Sequence, residues 1–263
     1  MTVIRPEDAE QAIKRITEQP EVITTTPPPD TSVKLPGGFR PIGESRTIRE
    51  AEVRELTGAD EEAISRTKSF SKMINTILLR GVESVGKAPV DNALFEDMLA
   101  GDRDALLIAI RSVTFGQYVV TTRVCPHCGK TEEFEIDLKS APTTVLDDDI
   151  PQSWTIKCKV GDVKVSFPTG TSYTKIMDAS DDGKTQSELN TILLAECLLS
   201  VDGNPSTGLE TARSLSVSDR TKILGEIMDK NPGPKLGEVT SNCPSCGEQS
   251  FTPLSIADLF RFS

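Results

Sequence analysis

The sequence predicts an α+β chain in three parts: an extended or flexible N-terminal arm over residues 1–45, a helical segment over 46–116, and a mixed α/β unit over 117–263 closed on itself by four cysteines. Three observations predict it. Two segments of one form, Cys125-Pro-His-Cys128-Gly and Cys243-Pro-Ser-Cys246-Gly, stand roughly 114 residues apart. Apolar residues between 70 and 113 recur with the helical period, while those flanking the cysteine segments alternate with period two. The first 45 residues hold a proline run and turn chemistry but few side chains that could build a core.

Within the arm, a short polar helix is expected from Pro6 to about Gln19, followed by Pro27-Pro28-Pro29, which enforces extended polyproline-like backbone. Turn chemistry recurs at Pro36-Gly37-Gly38. The composition suits a disordered tail, which it favours slightly, or an arm that becomes ordered on a neighbouring subunit. The helical segment opens with turn and N-cap residues and with acids at Asp60, Glu61 and Glu62, ahead of a long helix. Phe70, Met73, Ile74, Ile77 and Leu78 form one apolar face, which Gly81 and Gly86 terminate. A second helix begins near Asn92, and Gly101-Asp102 caps a third whose Leu106, Leu107, Ile110 and Val113 face a core. Antiparallel packing with short loops follows.

Residues 115–124 read as a strand running into the first cysteine pair, and residues 131–138 as a strand leaving it, with Phe134, Ile136 and Leu138 on one face. A second hairpin is expected from 154–160 and 163–167, turning at Gly161-Asp162. Helices follow around Tyr173 to Met177, over the apolar residues 187–201, and after Ser218-Asp219. Asn231-Pro-Gly-Pro breaks the last of these before the second cysteine pair. Phe260 and Phe262 close the chain, as a plug of the core, the favoured reading, or as an anchor in a partner.

Each Cys-Pro-x-Cys-Gly segment has the form of a zinc knuckle: proline sets up the turn, and glycine takes the positive φ that lets backbone amides approach the sulfurs. Cys125, Cys128, Cys243 and Cys246 together supply a tetrahedral S₄ shell, the geometry of a structural Zn²⁺. Such a shell leaves no position for water or substrate. Common zinc ribbons separate their pairs by about 15–20 residues, so here the metal would tie the end of the chain to its middle. Disulfides and metal-free buried cysteines are the alternatives. Cys158 and Cys197 lie in apolar surroundings and read as core residues.

His127 is the single histidine and sits inside the first knuckle, which excludes Ser-His-Asp, Cys-His and multi-histidine metal chemistry. It points outward or, as the lesser alternative, replaces a cysteine as ligand. The net charge of −11 argues against a phosphate-binding surface. No run of 18 apolar residues is present and residues 1–15 lack the apolar stretch of a signal peptide. Paired cysteines without such a signal suit a reducing compartment during folding.

The order of these features carries a resemblance. Residues 101–116, GDRDALLIAIRSVTFG, a strand into CPHCGK at 125–130, a long insert, and residues 243–262, CPSCGEQSFTPLSIADLFRF, resemble the baseplate hub proteins of T-even-type contractile phage tails and related myophages. The resemblance covers about residues 50–263. It implies a non-enzymatic structural protein of the virion tail baseplate, assembled in the host cytoplasm. Its partners would be other hub, wedge and tail-tube proteins, with no nucleic acid and no membrane span, and zinc would be structural on Cys125, Cys128, Cys243 and Cys246. Three other readings stay open: a transient baseplate assembly factor; a nucleic-acid-binding zinc module, disfavoured by Glu132, Glu133, Glu135, Glu238 and Glu248 beside the knuckles; and a zinc hydrolase using Asp60, Glu61 or Glu62.

Overall fold

The computed structural model describes residues 30–41, 46–148 and 150–260. The polar helix expected from Pro6, the proline run at 27–29 and Phe262 lie outside these residues. Within them the chain is α+β, and those from Thr31 onward form one compact unit.

An antiparallel sheet opens it, in the order β1 (Ser32–Phe39), β2 (Ile48–Val53), β3 (Val82–Val85). Against it pack α1 (Gly58–Ser65), α2 (Phe70–Gly81), α3 (Asn92–Asp97) and α4 (Ala100–Phe115). The largest core cluster joins Leu35 and Val53 of the sheet to Ile74, Ile77, Leu78, Phe95, Leu106, Leu107 and Ile110 of the helices. It also takes in Val119, Ile136 and Leu138, which lie beyond residue 116, and Leu236, Val239, Leu254, Leu259 and Phe260 near the end of the chain. The expected helical segment and the cysteine-bearing unit therefore share one core. Phe260 is a core plug, 4% exposed.

Residues 32–39 correct the expected arm. They form a core strand because Val33 and Leu35 point inward while Ser32 and Lys34 face out in regular register, and only Pro36-Gly37-Gly38 interrupt the pairing. The pairing register shifts between Lys34 and Phe39, so the proline and glycines sit in a bulge, where a missing ladder donor costs little. Gly37 N instead donates to Asp102 Oδ1 at 2.6 Å, and Pro36 O accepts from Leu146 N at 2.9 Å. The helical segment also contains two strands, β2 and β3, whose few residues are too short to show a clear period. The single long helix expected after Asp60 is two, parted at residues 66–69. Ser69 begins the second by accepting from Lys72 N.

A short pair, β6 (Thr143–Thr144) with β11 (Gly233–Pro234), and a second four-stranded antiparallel sheet follow, the latter in the order β10 (Asn204–Pro205), β9 (Leu198–Val201), β8 (Gly161–Ser166), β7 (Ser153–Cys158). Its core packs against α5 (Gly170–Asp181), α6 (Gln186–Cys197), α7 (Leu209–Ser214) and α8 (Val217–Lys230), with Ile156, Val163, Val165, Leu194, Cys197, Ile223 and Ile227 buried together. Two expectations are corrected here. Cys158 pairs with Gly161, so the β7–β8 turn lies at Lys159-Val160, two residues early. The apolar run 187–201 is a helix only to Cys197, after which β9 pairs with β8. An unbroken apolar run has no period to separate buried helix from buried strand.

Candidate metal centre

Two short hairpins carry the cysteines. In the first, β4 (Tyr118–Val124) pairs with β5 (Thr131–Asp137), and in the second, β12 (Thr240–Asn242) pairs with β13 (Gln249–Phe251). Each pair of cysteines sits at a hairpin tip, and the two tips have the same backbone. Cys125 N donates to Lys130 O at 2.8 Å and Gly129 N to Cys125 O at 2.9 Å; Cys243 N donates to Glu248 O at 2.9 Å and Gly247 N to Cys243 O at 2.8 Å. Gly129 and Gly247 have φ of 73° and 74°, the left-handed conformation that glycine adopts without strain. Nothing lies within 4 Å of a Cβ built at either position, so backbone conformation alone demands glycine there.

The four Sγ atoms all lie within 4.8 Å of one another. Cys125 Sγ is 3.8 Å from Cys246 Sγ, and Cys128 Sγ is 3.9 Å from Cys243 Sγ. A tetrahedron with metal–sulfur bonds of about 2.3 Å has edges of about 3.8 Å. A disulfide would need about 2.05 Å, and all four thiols are free. The group can hold a metal ion. Cys125 and Cys243 are buried and Cys128 and Cys246 exposed, so one ligand of each knuckle faces the protein and one faces solvent. His127 is exposed and stands outside the cluster.

The thiols differ in acidity. The Cys128 backbone amide, with help from that of His127 and the neighbouring thiols, lowers the Cys125 pKa to about 6. At Cys246 the Glu248 amide acts to lower the pKa, but burial and the thiols of Cys243, Cys125 and Cys128 outweigh it and push it up to about 12. One thiolate forms readily and the last resists, because charge accumulates among the sulfurs. A divalent cation relieves that repulsion, which is what the donor set is suited to.

Around the sulfurs, Phe134 (2% exposed) packs beneath Cys125 and Cys243. Ser245 of the second knuckle donates to Glu132 on β5 and lies 3.5 Å from Lys130 Nζ. Arg123 reaches across from β4 to Pro253 O. Ser241 and Thr252 share a buried 2.6 Å hydrogen bond at the base of the second hairpin. Below the tips, Val119, Ile136 and Leu138 on one side and Val239 and Leu254 on the other enter the main core. The hairpins thus meet through sulfur at the tip and apolar packing at the root.

All four sequence-selected cysteines come together. The bridging Glu132–Ser245 contact and the Arg123–Pro253 contact were not legible, since each joins residues more than 110 apart in sequence. The sequence shows Phe134 only as one residue of a strand face. The acids considered for hydrolysis lie elsewhere: Asp60 is buried, pairs with Arg54 at 2.8 Å and accepts from Thr57 N at 2.9 Å. The Arg54 guanidinium, opposed by burial and aided by Thr57, holds the Asp60 carboxyl well below the usual range. That is a helix-capping ion pair, and Glu61 and Glu62 are exposed beside it.

The fold and this site define a chain built around a four-cysteine centre joining two hairpins on a shared core. A family model described as T4 bacteriophage base plate protein matches residues 29–261, and the chain belongs to that family. No curated protein and no solved structure matches it significantly. The chain is accordingly a structural component of a phage tail baseplate, a virion structure in which it meets other baseplate components. Among the described residues no helix is long and apolar enough to cross a membrane.

Proposed function

We propose that this chain is a non-enzymatic subunit of the hub or wedge region of a contractile-tail baseplate, assembled in the host cytoplasm, in which one structural Zn²⁺ fixes the two knuckle hairpins. The family match over residues 29–261 carries the reading. The sulfur cluster supports it, because four thiolates within 4.8 Å of one another, with two pairs at 3.8 and 3.9 Å, suit Zn²⁺ and would leave it no open position for chemistry. The partners are neighbouring hub, wedge and tail-tube proteins.

Cys125, Cys128, Cys243 and Cys246 would hold the ion; bound there, it would supply folding free energy and no reactive water. Mass spectrometry of sedimented tails tests the reading. The chain is expected in stoichiometric amount at the baseplate. Tails that lack it but fail to assemble without it would identify a transient assembly factor. A chain found only free in lysates, and dispensable for tail assembly, would sink the proposal.

A further inference from the structure

The β4–β5 hairpin has an open hydrogen-bonding edge. Leu138 N donates to Gln117 O at 2.9 Å and Cys125 N to Lys130 O at 2.8 Å, with β4 and β5 in unbroken register between them. In an antiparallel ladder, alternate residues bond to the partner strand and those between point their N–H and C=O groups the other way. Val119, Thr121 and Arg123 therefore bond to β5, while Tyr118, Val120, Thr122 and Val124 face the far side of β4. The pairing is a two-stranded sheet, and among the described residues only Tyr118 O meets a neighbour there, Arg111 Nη2 at 3.4 Å. Val120, Thr122 and Val124 present three donors and three acceptors with no partner among the described residues.

Proteins blunt such edges with lysine, proline or a bulge. β4 has none of these, and its one charge, Arg123, is tied to Pro253 O. On the open face Tyr118, Val120 and Val124 are 49, 59 and 63% exposed. The register sets Asp137, Glu135 and Glu133 beside Tyr118, Val120 and Thr122, so an acidic row borders the apolar strip.

We propose that the β4 edge receives an extended, lysine- or arginine-bearing strand from a neighbouring baseplate subunit, which adds a third strand to the β4–β5 hairpin. Main-chain bonds to Val120, Thr122 and Val124 give the pairing, and β-branched residues alternating with the basic ones suit the extended backbone. Long basic side chains lie across the apolar strip to the row of Glu133, Glu135 and Asp137. Charge selects the occupant: a second copy brings another acidic row and a net charge of −11 to the same place, whereas a basic strand complements it. The source of the strand rests on the baseplate reading; the edge stands on the hairpin's own geometry.

The test uses the full chain and a synthetic hexapeptide of alternating lysine and valine, with amide hydrogen exchange followed by NMR. Binding is expected to slow exchange at Val120, Thr122 and Val124 by about tenfold or more. The double variant Val120→Pro/Thr122→Pro loses only outward donors, so it is expected to keep its metal content while binding about tenfold more weakly. Val120→Lys, an edge charge that repels the peptide and leaves every backbone bond in place, is expected to weaken binding too. Equal binding by Val120→Lys, no protection at the three amides, or equal binding of a glutamate–valine peptide would overturn the proposal. Protection that rises with protein concentration alone would assign the edge to a second copy and overturn it as well. None of these outcomes alters whether the chain sediments with tails, which tests the baseplate reading separately.

Discussion

Replacing Cys243 by serine removes one sulfur from the cluster and breaks the link between residues 128 and 243. The closed loop between these knuckle residues holds roughly 114 residues. A covalent cross-link over a loop of about 100 residues restricts the unfolded chain by about 4.7 kcal/mol, and a metal bridge that is retained on unfolding approaches this value. Opposing it, Val119, Ile136, Val239 and Leu254 keep the hairpin roots packed whether or not the tips are joined. The variant is therefore expected to fold with the same secondary structure but to lose about 4 kcal/mol of stability. For a chain of this size that is a fall in Tm of about 10–15 °C. The assay is thermal unfolding by circular dichroism, paired with metal content by plasma mass spectrometry. Loss of bound metal with an unchanged Tm would show that the hairpins are held by their core alone. Full metal retention with an unchanged Tm would refute Cys243 as a ligand.

Four further outcomes are expected. His127→Ala should retain the metal at unchanged stoichiometry, since the imidazole lies outside the sulfur cluster; loss of metal would make it a ligand. Gly101→Ala should destabilise the fold by about 1–3 kcal/mol in denaturant unfolding, because a Cβ there would stand 1.6 Å from Pro232 O and the backbone must shift; an unchanged midpoint would contradict that packing. Burial pushes the Asp102 carboxyl up to about 6, against the amides of Gly37 and Gly38, which act to lower it. Its folded pKa exceeds its unfolded one, so its stabilising contribution is complete below pH about 4 and is lost as pH rises through 6, a change of about 3 kcal/mol. Asp102→Asn should flatten the stability–pH curve across that window, and an unaltered slope would argue against it. Acidification should weaken metal binding as protons compete for the four sulfurs, measured with a chromogenic chelator, and an affinity that does not fall with pH would be inconsistent with thiolate ligation.

The four clustered cysteines were legible because their signal is local: a turn proline, a positive-φ glycine and two thiols within five residues, written twice. The helices α2, α4 and α8 were legible for a similar reason, their apolar positions recurring over three or more turns. β1 was not. Pro36-Gly37-Gly38 reads as a turn in isolation, and only the distant Asp102 and Leu146, which take over its backbone bonds, turn it into a bulged core strand. β9 failed for the opposite reason, since Leu198 and Leu199 continue an apolar run and only pairing with β8 ends the helix at Cys197. The shared core was hidden too, because Val119, Ile136 and Leu254 join Ile110 in one core through tertiary packing that no sequence spacing records.

The proposed function rests on one zinc ion, held by Cys125, Cys128, Cys243 and Cys246, that joins the two knuckles. X-ray absorption at the zinc edge of the purified chain tests it most directly. One zinc per chain with four sulfur neighbours at about 2.3 Å is expected. A shell containing nitrogen or oxygen, or a purified chain with no zinc at all, would contradict it.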